Sequence, residues 1–266
     1  MTAYKAEFIK VHTEVGWQTL PTEPDKRLSE SEVRLQLCVE EDVNTIASAI
    51  YDLLPQAWWD RKQPPSPTLP PLEERKARLA QRLLPTFRDP KVHVDWVKAI
   101  HVPSSTIIGI AGWWAPGNPV HNCWRRTAVD YYDWKTLMNW TDADVEDLWV
   151  GIDFEAWDGE MARHDEARKG FLGDEKHWYL APLLIFPEWQ GKGVGSRLLR
   201  WAIDQADKAD PIMPLWLESA PTARGVYLNW GFEPVGETRM LRRGPGRKVD
   251  SNGEVLKNAE RSEQKQ

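Results

Sequence analysis

Cysteine is scarce in this 266-residue chain, which holds only Cys38 and Cys123. Two thiols cannot build a disulfide framework, and they fit a reducing, cytoplasmic compartment. Long apolar runs are missing too. The longest, Ile107–Ala115 and Trp178–Phe186, are about nine residues each, against roughly 20 for a helix that crosses a membrane. No membrane association is expected. The opening stretch, MTAYKAEFIKVHTEV, lacks the apolar core of a secretory signal. Basic charge is in deficit, with 34 Lys and Arg against 40 Asp and Glu and a net charge of −6, so nucleic acid is not expected as a partner. The six histidines (His12, His93, His101, His121, His164 and His177) have no metal-ligand spacing. Asp142-Ala143-Asp144 lacks the rest of a calcium loop, so no metal site is expected. Cys123 has no identifiable base beside it to make it a nucleophile.

What remains is an ordinary globular composition, 41% hydrophobic and 28% charged, and a length ample for a buried core. The unusual number is 16 tryptophans, which suit either a bulky core or an aromatic-lined site. The polar first 32 residues should lie along the surface, with one strand near Phe8–Val11. Val33, Leu35, Leu37 and Val39 alternate as in a half-buried strand. Asp42 is the expected N-cap of a helix carrying Val43, Ile46, Ala47, Ile50 and Leu53 on one face. Five prolines in Gln63–Pro71 exclude a regular element there. A helix is expected over Leu72–Leu84, then strands over Val92–Val102 and Thr106–Trp114 joined by Pro103-Ser104-Ser105 as an antiparallel hairpin. Residues 118–176 hold five tryptophans (Trp124, Trp134, Trp140, Trp149 and Trp157). The stretch Asp142–Glu160 has eight acidic residues and no basic one. Thr141 with Asp144 has the form of a capping box, so a helix should start there.

Trp178–Phe186 is an almost unbroken apolar strand. Behind it come Gly191, Gly193 and Gly195, and a helix in which Val194, Leu198, Leu199, Ala202, Ile203 and Ala206 share a face. Leu215–Leu217 should be a short strand, Thr222–Trp230 a helix closed by Gly231, and Phe232–Val235 and Thr238–Leu241 the last strands. A strand, a glycine turn and a helix starting inside the turn make an anion site. Glycine lets backbone approach a phosphate, and the first-turn amides of a helix have no internal partners. Lys192, Arg197 and Arg200 could add charge.

Gln190-Gly191-Lys192-Gly193-Val194-Gly195 matches the Q/R-x-x-G-x-G/A signature of the GNAT superfamily of CoA-dependent N-acyltransferases. Ala223-Arg224-Gly225-Val226-Tyr227-Leu228-Asn229-Trp230-Gly231-Phe232 resembles its second signature, and Leu217-Glu218-Ser219-Ala220-Pro221 looks like its fifth strand and the turn after it. The resemblance is strong over 177–236, weak over 33–115, and absent over 118–176 and the tail. It implies an α+β fold: a mixed, mostly antiparallel sheet flanked by helices, with the family's fourth and fifth strands, here Trp178–Phe186 and Leu215–Leu217, splayed apart. Pro182, which has no N–H for a ladder, would sit at the bulge where they part. One domain over 1–242 is expected, with a Trp-rich acidic insertion at about 118–176 and a disordered polar tail over 243–266.

The resemblance further implies acetyl-CoA as cosubstrate. Backbone groups of Leu184, Ile185 and Phe186 would meet its pantetheine arm as an added strand does. Gln190, Gly191, Lys192, Gly193, Val194, Gly195 and Ser196 would hold its pyrophosphate. Direct attack by a primary amine needs a proton acceptor for the amine and a donor for the leaving thiolate. Tyr227 aligns with the family's donor. Glu218, ending the fifth strand, is the first candidate base and His177 the second, with a water chain as a further route. The acceptor would be a small-molecule amine, and homodimers are common among relatives. Two rival readings stand beside this one. A dinucleotide-binding Rossmann oxidoreductase has Ser196 where its third fingerprint glycine belongs. A non-catalytic ligand-binding protein on the same fold would use the tryptophans as an aromatic cage. The insertion would either cover the acceptor side and select a large, aromatic or cationic amine, or be a solvated acidic face over an ordinary core.

Overall fold

The computed structural model describes residues 26–220 and 223–245, with the backbone of two further strands, β1 (Ile9–Thr13) and β2 (Gly16–Leu20). β1 realises the strand expected near Phe8–Val11 and pairs antiparallel with β2. Most of the tail expected over 243–266 lies outside the described residues.

The main sheet is built from β3 (Val33–Leu37), β4 (Val94–His101), β5 (Thr106–Trp114), β6 (Trp178–Ile185), β7 (Leu215–Glu218), β8 (Glu233–Pro234) and β9 (Arg239–Arg242). Their spatial order is β3-β4-β5-β6-β7-β9-β8. All neighbours are antiparallel except β6 and β7, which run parallel. The fold is therefore α+β with a mixed, mostly antiparallel sheet, as the resemblance implied.

Strand alternation sends side chains to two cores. On one face, Trp96, Ile110, Trp114, Tyr179 and Trp216 are buried with α1 (Val43–Leu53), α2 (Gln56–Lys62) and α3 (Leu72–Leu83). The short α4 (Pro85–Arg88) comes directly after α3 on this side. The same core takes in α5 (Ala128–Tyr131), α6 (Trp134–Met138), α7 (Asp142–Leu148) and α8 (Phe154–Leu172) through Val129, Trp134, Leu148 and Trp157. On the other face, Val97, Ile108, Trp113, Leu180 and Leu217 meet α9 (Val194–Lys208) and α10 (Arg224–Asn229). The six apolar residues spaced along α9 are all buried there, each worth about 1–3 kcal/mol of apolar burial where the side chain is large.

Most of the tryptophans in 118–176 are core, not cage. Trp134, Trp149 and Trp157 are at most 2% exposed, whereas most carboxylates of Asp142–Glu160 face solvent. Thr141 and Asp144 form the expected capping box at α7: Asp144 N–H donates to Thr141 Oγ1 (3.2 Å) and Thr141 N–H to Asp144 Oδ2 (2.8 Å). Asp42 does not cap α1. Its own backbone is helical, and its carboxylate instead accepts from Val39 N–H (2.9 Å) and Lys98 Nζ (2.6 Å). Helix α2 escapes a reading by periodicity because seven residues hold too few turns to show one.

A local irregularity sets the course of β6. Between the pairs Ala111↔Leu183 and Trp113↔Leu180 the register slips, so Ala181 and Pro182 together face Gly112. This is a β-bulge, and it bends β6 where Pro182 has no N–H to offer. A Cβ on Gly112 would stand 2.7 Å from Ala181 O and 2.9 Å from the Trp96 ring, so glycine is required for the two backbones to approach. Gly112→Ala should destabilise the protein by about 1–3 kcal/mol through overpacking, read as a lowered urea midpoint. An unchanged midpoint would show that the bulge is not held by this contact.

Candidate active site

β6 and β7 pair at only three positions: Trp178↔Leu215, Tyr179↔Trp216 and Leu180↔Leu217. Beyond Leu180 the two strands separate, and the rest of β6 stays on β5. The opening therefore starts at the bulge, and both the glycine turn and Glu218 lie past it.

At the far end of β6, Gln190 Nε2 donates to Ile185 O (3.0 Å), which ties the glycine turn to the strand. Gly191 and Gly193 have φ of +72° and +82°, the left-handed conformation in which glycine is favoured. Gly193 is the N-cap of α9 and offers no side chain to satisfy the first turn. Among the described residues, none of the amides from Gly191 to Ser196 donates to another backbone carbonyl. A Cβ on Gly191 would meet nothing within 4 Å. Among the described residues the result is a row of N–H groups free of backbone partners at the positive end of a 15-residue helix, with open space at Gly191. That arrangement suits a diphosphate.

The cations around this turn are placed differently from expectation. Arg197 is spent on the preceding segment, donating to Leu28 O (2.6 Å) and pairing with Glu30 (3.1 Å). Lys192 Nζ stands over the Trp189 ring at 4.7 Å, and Arg200 over Trp230 at 5.7 Å. Leu28 N–H donates to Lys192 O (3.2 Å). That bond carries the Arg27 stem past Gly193, within 3.6 Å of where a Cβ would stand. Sequence reading misses Arg27, because nothing in a polar leading segment shows that it folds back on a turn more than a hundred residues later.

Phe186, one of the three strand residues that the resemblance assigns to the pantetheine, is not available to it. Its N–H donates to Ile108 O (3.2 Å) and its carbonyl accepts from Trp189 N–H (2.9 Å), so neither is open to a ligand. Leu184 and Ile185 are opposite Ile110 and Gly109 of β5. Backbone groups of successive strand residues point to opposite edges. With Phe186 N–H turned to β5, Ile185 presents its N–H to the parted side, while its carbonyl accepts from Gln190 Nε2 (3.0 Å).

Tyr227 lies on the α9 face of the sheet, buried, with its ring edge-on to Phe232 at 5.8 Å. Burial pushes its phenol up from the usual value, so it is firmly protonated at neutral pH. Among the described residues its hydroxyl has no hydrogen-bond partner. Glu218 lies on the opposite face, in a polar cluster. Its Oε2 accepts from Tyr179 OH (2.8 Å) and its Oε1 from Trp216 Nε1 (2.7 Å). Burial and the neighbouring carboxylate of Glu218 raise the Tyr179 phenol well above its usual range. Arg168 stacks on the Tyr179 ring at 3.9 Å and pairs with the buried Asp165 at 3.1 Å.

His177 is not at the opening. It precedes Trp178, the first residue of β6, at the closed end of the β6–β7 pairing. Three residues separate it from the last pair, about 10 Å at strand rise. Its Nδ1–H donates to Glu175 O (2.6 Å). Burial, with the positive Arg168 nearby, lowers its pKa to about 4. Polar alternation marks a strand end in the sequence, but not which end parts. A residue that sequence reading missed is His164 on α8, whose Nδ1 lies 3.9 Å from Glu218 Oε2. No spacing signal links positions so far apart in the chain.

Residues 158–244 match the family model described as acetyltransferase (GNAT) domain. That span runs from α8 through β6, the glycine turn, α9, β7 and α10 to just past β9. Over that span the chain is similar to the GNAT superfamily of acetyltransferases. No curated protein matches it. Among solved structures, an HPA2-type histone acetyltransferase and related acetyltransferase from Corynebacterium glutamicum is similar, with TM-score 0.49 and 17% identity over 82% of this chain and 99% of that one. A mosquito arylalkylamine N-acetyltransferase like 5b gives 0.45 and 14% over 84% and 92%. A GNAT acetyltransferase from Brucella melitensis in complex with acetyl-CoA gives 0.40 and 13% over 85% and 96%.

His177 supplies a test of stability against pH. A folded-state pKa of about 4 against an ordinary 6.5 means that the unfolded chain binds the proton first as pH falls. Its contribution is full above about 6.5 and is lost towards about 4. Between pH 7 and pH 5 this should remove about 2 kcal/mol of stability, seen in urea midpoints. His177→Gln should flatten that dependence while leaving the pH profile of turnover unchanged. A turnover profile that shifts would return His177 to the site.

Proposed function

We propose that the protein is an acetyl-CoA-dependent N-acetyltransferase acting on the primary amine of a small molecule. The observation that carries this reading is the row of uncommitted amides from Gly191 to Ser196 beside the parted strands. The acetyltransferase family match over the same residues supports it. Residues 1–242 would act as one domain, since 118–176 shares its buried core with α1, α3 and the sheet. Among the described residues no helix is long and apolar enough to cross a membrane. The two cysteines are free, which fits a reducing cytoplasm.

The cosubstrate supplies an activated acyl thioester. This chain's residues do the rest. Amides of Gly191, Lys192, Gly193, Val194, Gly195 and Ser196 take the pyrophosphate, with Gln190 bracing the turn. The open edge of β6 at Ile185, next to Leu184, receives the pantetheine as an extra strand and offers an amide to the carbonyl oxygen as negative charge develops there. Tyr227, protonated and without a partner, holds the proton that the departing sulfur needs. Glu218, on the opposite face, marks the acceptor side. Donor and acceptor groups thus approach the same gap from the two sides of the sheet.

Thiol release from acetyl-CoA across arylalkylamines, aliphatic diamines and peptide amines is the direct test. NADH in place of acetyl-CoA should give no binding; tight NADH binding with no thiol release would favour the dinucleotide reading. Gly193→Val forces a β-branched residue into φ +82° and crowds the turn. It should weaken acetyl-CoA binding about 10-fold or more, consistent with roughly 1–2 kcal/mol of strain, measured by titration calorimetry. Unchanged affinity would move the cosubstrate away from the turn. Tyr227→Phe should lower kcat about 100-fold, the low end for a lost acid, with acetyl-CoA affinity kept. Unchanged kcat would remove the tyrosine from the chemistry.

A further inference from the structure

On the acceptor face, the carboxylate of Glu218 is already engaged. Both of its oxygens accept from neutral donors, Tyr179 OH and Trp216 Nε1, and its side chain is 13% exposed. Those two bonds hold the carboxylate in place beside an imidazole. The imidazole present is that of His164, on α8, with Nδ1 3.9 Å from Glu218 Oε2 and a side chain 21% exposed. Since Nδ1 faces the carboxylate, Nε2 is the nitrogen left for a substrate.

We infer that His164 is the general base that deprotonates the acceptor amine, with Glu218 as its positioning partner. This rests on the transferase reading above and adds to it the group that starts the reaction. The place fits. Glu218 is one residue beyond Leu217, the last β7 residue paired with β6, so the His164–Glu218 pair borders the gap at its opening. The helix that delivers the imidazole lies in the segment 118–176, where the sequence shows no family signature, although the family model takes in its residues from 158 onward. α8 is firmly seated: Trp157 is 1% exposed and Arg168 is 3% exposed, and Glu160, one turn before His164, accepts from Trp58 Nε1 (3.0 Å) and Lys62 Nζ (2.7 Å). Lys62 neutralises Glu160, and among the described residues Glu218 has no cation paired with it other than His164. The acidic groups facing the imidazole are thus one compensated carboxylate and one uncompensated.

Protons and electron pairs balance through the step. An ammonium acceptor gives one proton to His164 Nε2 and becomes a neutral amine. Its nitrogen bonds the thioester carbon while the carbon–sulfur bond breaks. The leaving sulfur takes the proton of Tyr227, which is replaced by the second proton shed from nitrogen. The products are the amide and the free thiol, and the proton on His164 returns to solvent.

The test uses the full chain, acetyl-CoA and an amine that the wild type accepts in the thiol-release screen. His164→Ala should lower kcat/KM about 100-fold or more and remove the acid limb of its pH profile, with acetyl-CoA affinity and urea midpoint kept. Added imidazole should restore part of the rate. Glu218→Gln should keep the limb and the KM for the amine but lower kcat about 10-fold or more, since the imidazole loses its positioning partner. If His164→Ala retains wild-type turnover and the acid limb, the base is elsewhere and the proposal fails while the transferase reading stands. If acetyl-CoA binding or the urea midpoint collapses with turnover, His164 is part of the scaffold and the proposal fails. If the wild type binds acetyl-CoA but releases no thiol with any amine, the transferase reading fails and takes the proposal with it.

Discussion

The parting of β6 from β7 after Leu180↔Leu217 is the constraint on which the site depends. Parallel strands that stay paired would leave no edge for a ligand and no gap between the two faces. The bulge at Ala181–Pro182, opposite Gly112, bends β6 at the same level. A residue without an N–H and a residue without a Cβ meet there, and each is needed for the other: the glycine lets the bulged carbonyl come close, and the bulge turns the strand away from its neighbour. The glycine turn, Ile185 and Glu218 all lie beyond that point.

The gap divides the chemistry by face. Tyr227 is carried by α10 on the α9 side, while Tyr179, Trp216, Glu218 and His164 belong to the side covered by α8. On the proposed reading, the proton donor and the proton acceptor thus approach the gap from opposite faces. The acidic, tryptophan-rich segment fits the reading of a solvated acidic face over an ordinary core. Its indoles fill a core, its outer carboxylates face water, and one of its helices brings an imidazole to the acceptor side.

Much of this is legible residue by residue. The α9 face, the 106–114 strand, the capping box at Thr141 and the closing Gly231 each follow from local rules in which neighbours in sequence are neighbours in space. The glycine turn is legible for the same reason, since its conformation and its free amides arise from six consecutive residues. Asp42 departs from the local capping rule because its carboxylate finds a distant partner in Lys98, which that rule does not see. Phe186 departs from its assignment because a strand read in sequence has no edges. Which backbone groups face β5 depends on a bulge whose register only the paired strand sets.

The sequence by itself determined most of the elements, the glycine turn and the resemblance to one family, because these rest on short-range sterics and on motif spacing along one segment. The tertiary structure decided which histidine meets a carboxylate, which cations near the turn are engaged elsewhere and which strand edge is open. Those depend on contacts between residues far apart in the chain, such as His164 with Glu218 or Leu28 with Lys192, and on burial, which turned His177 into a neutral group at the closed end of the strands.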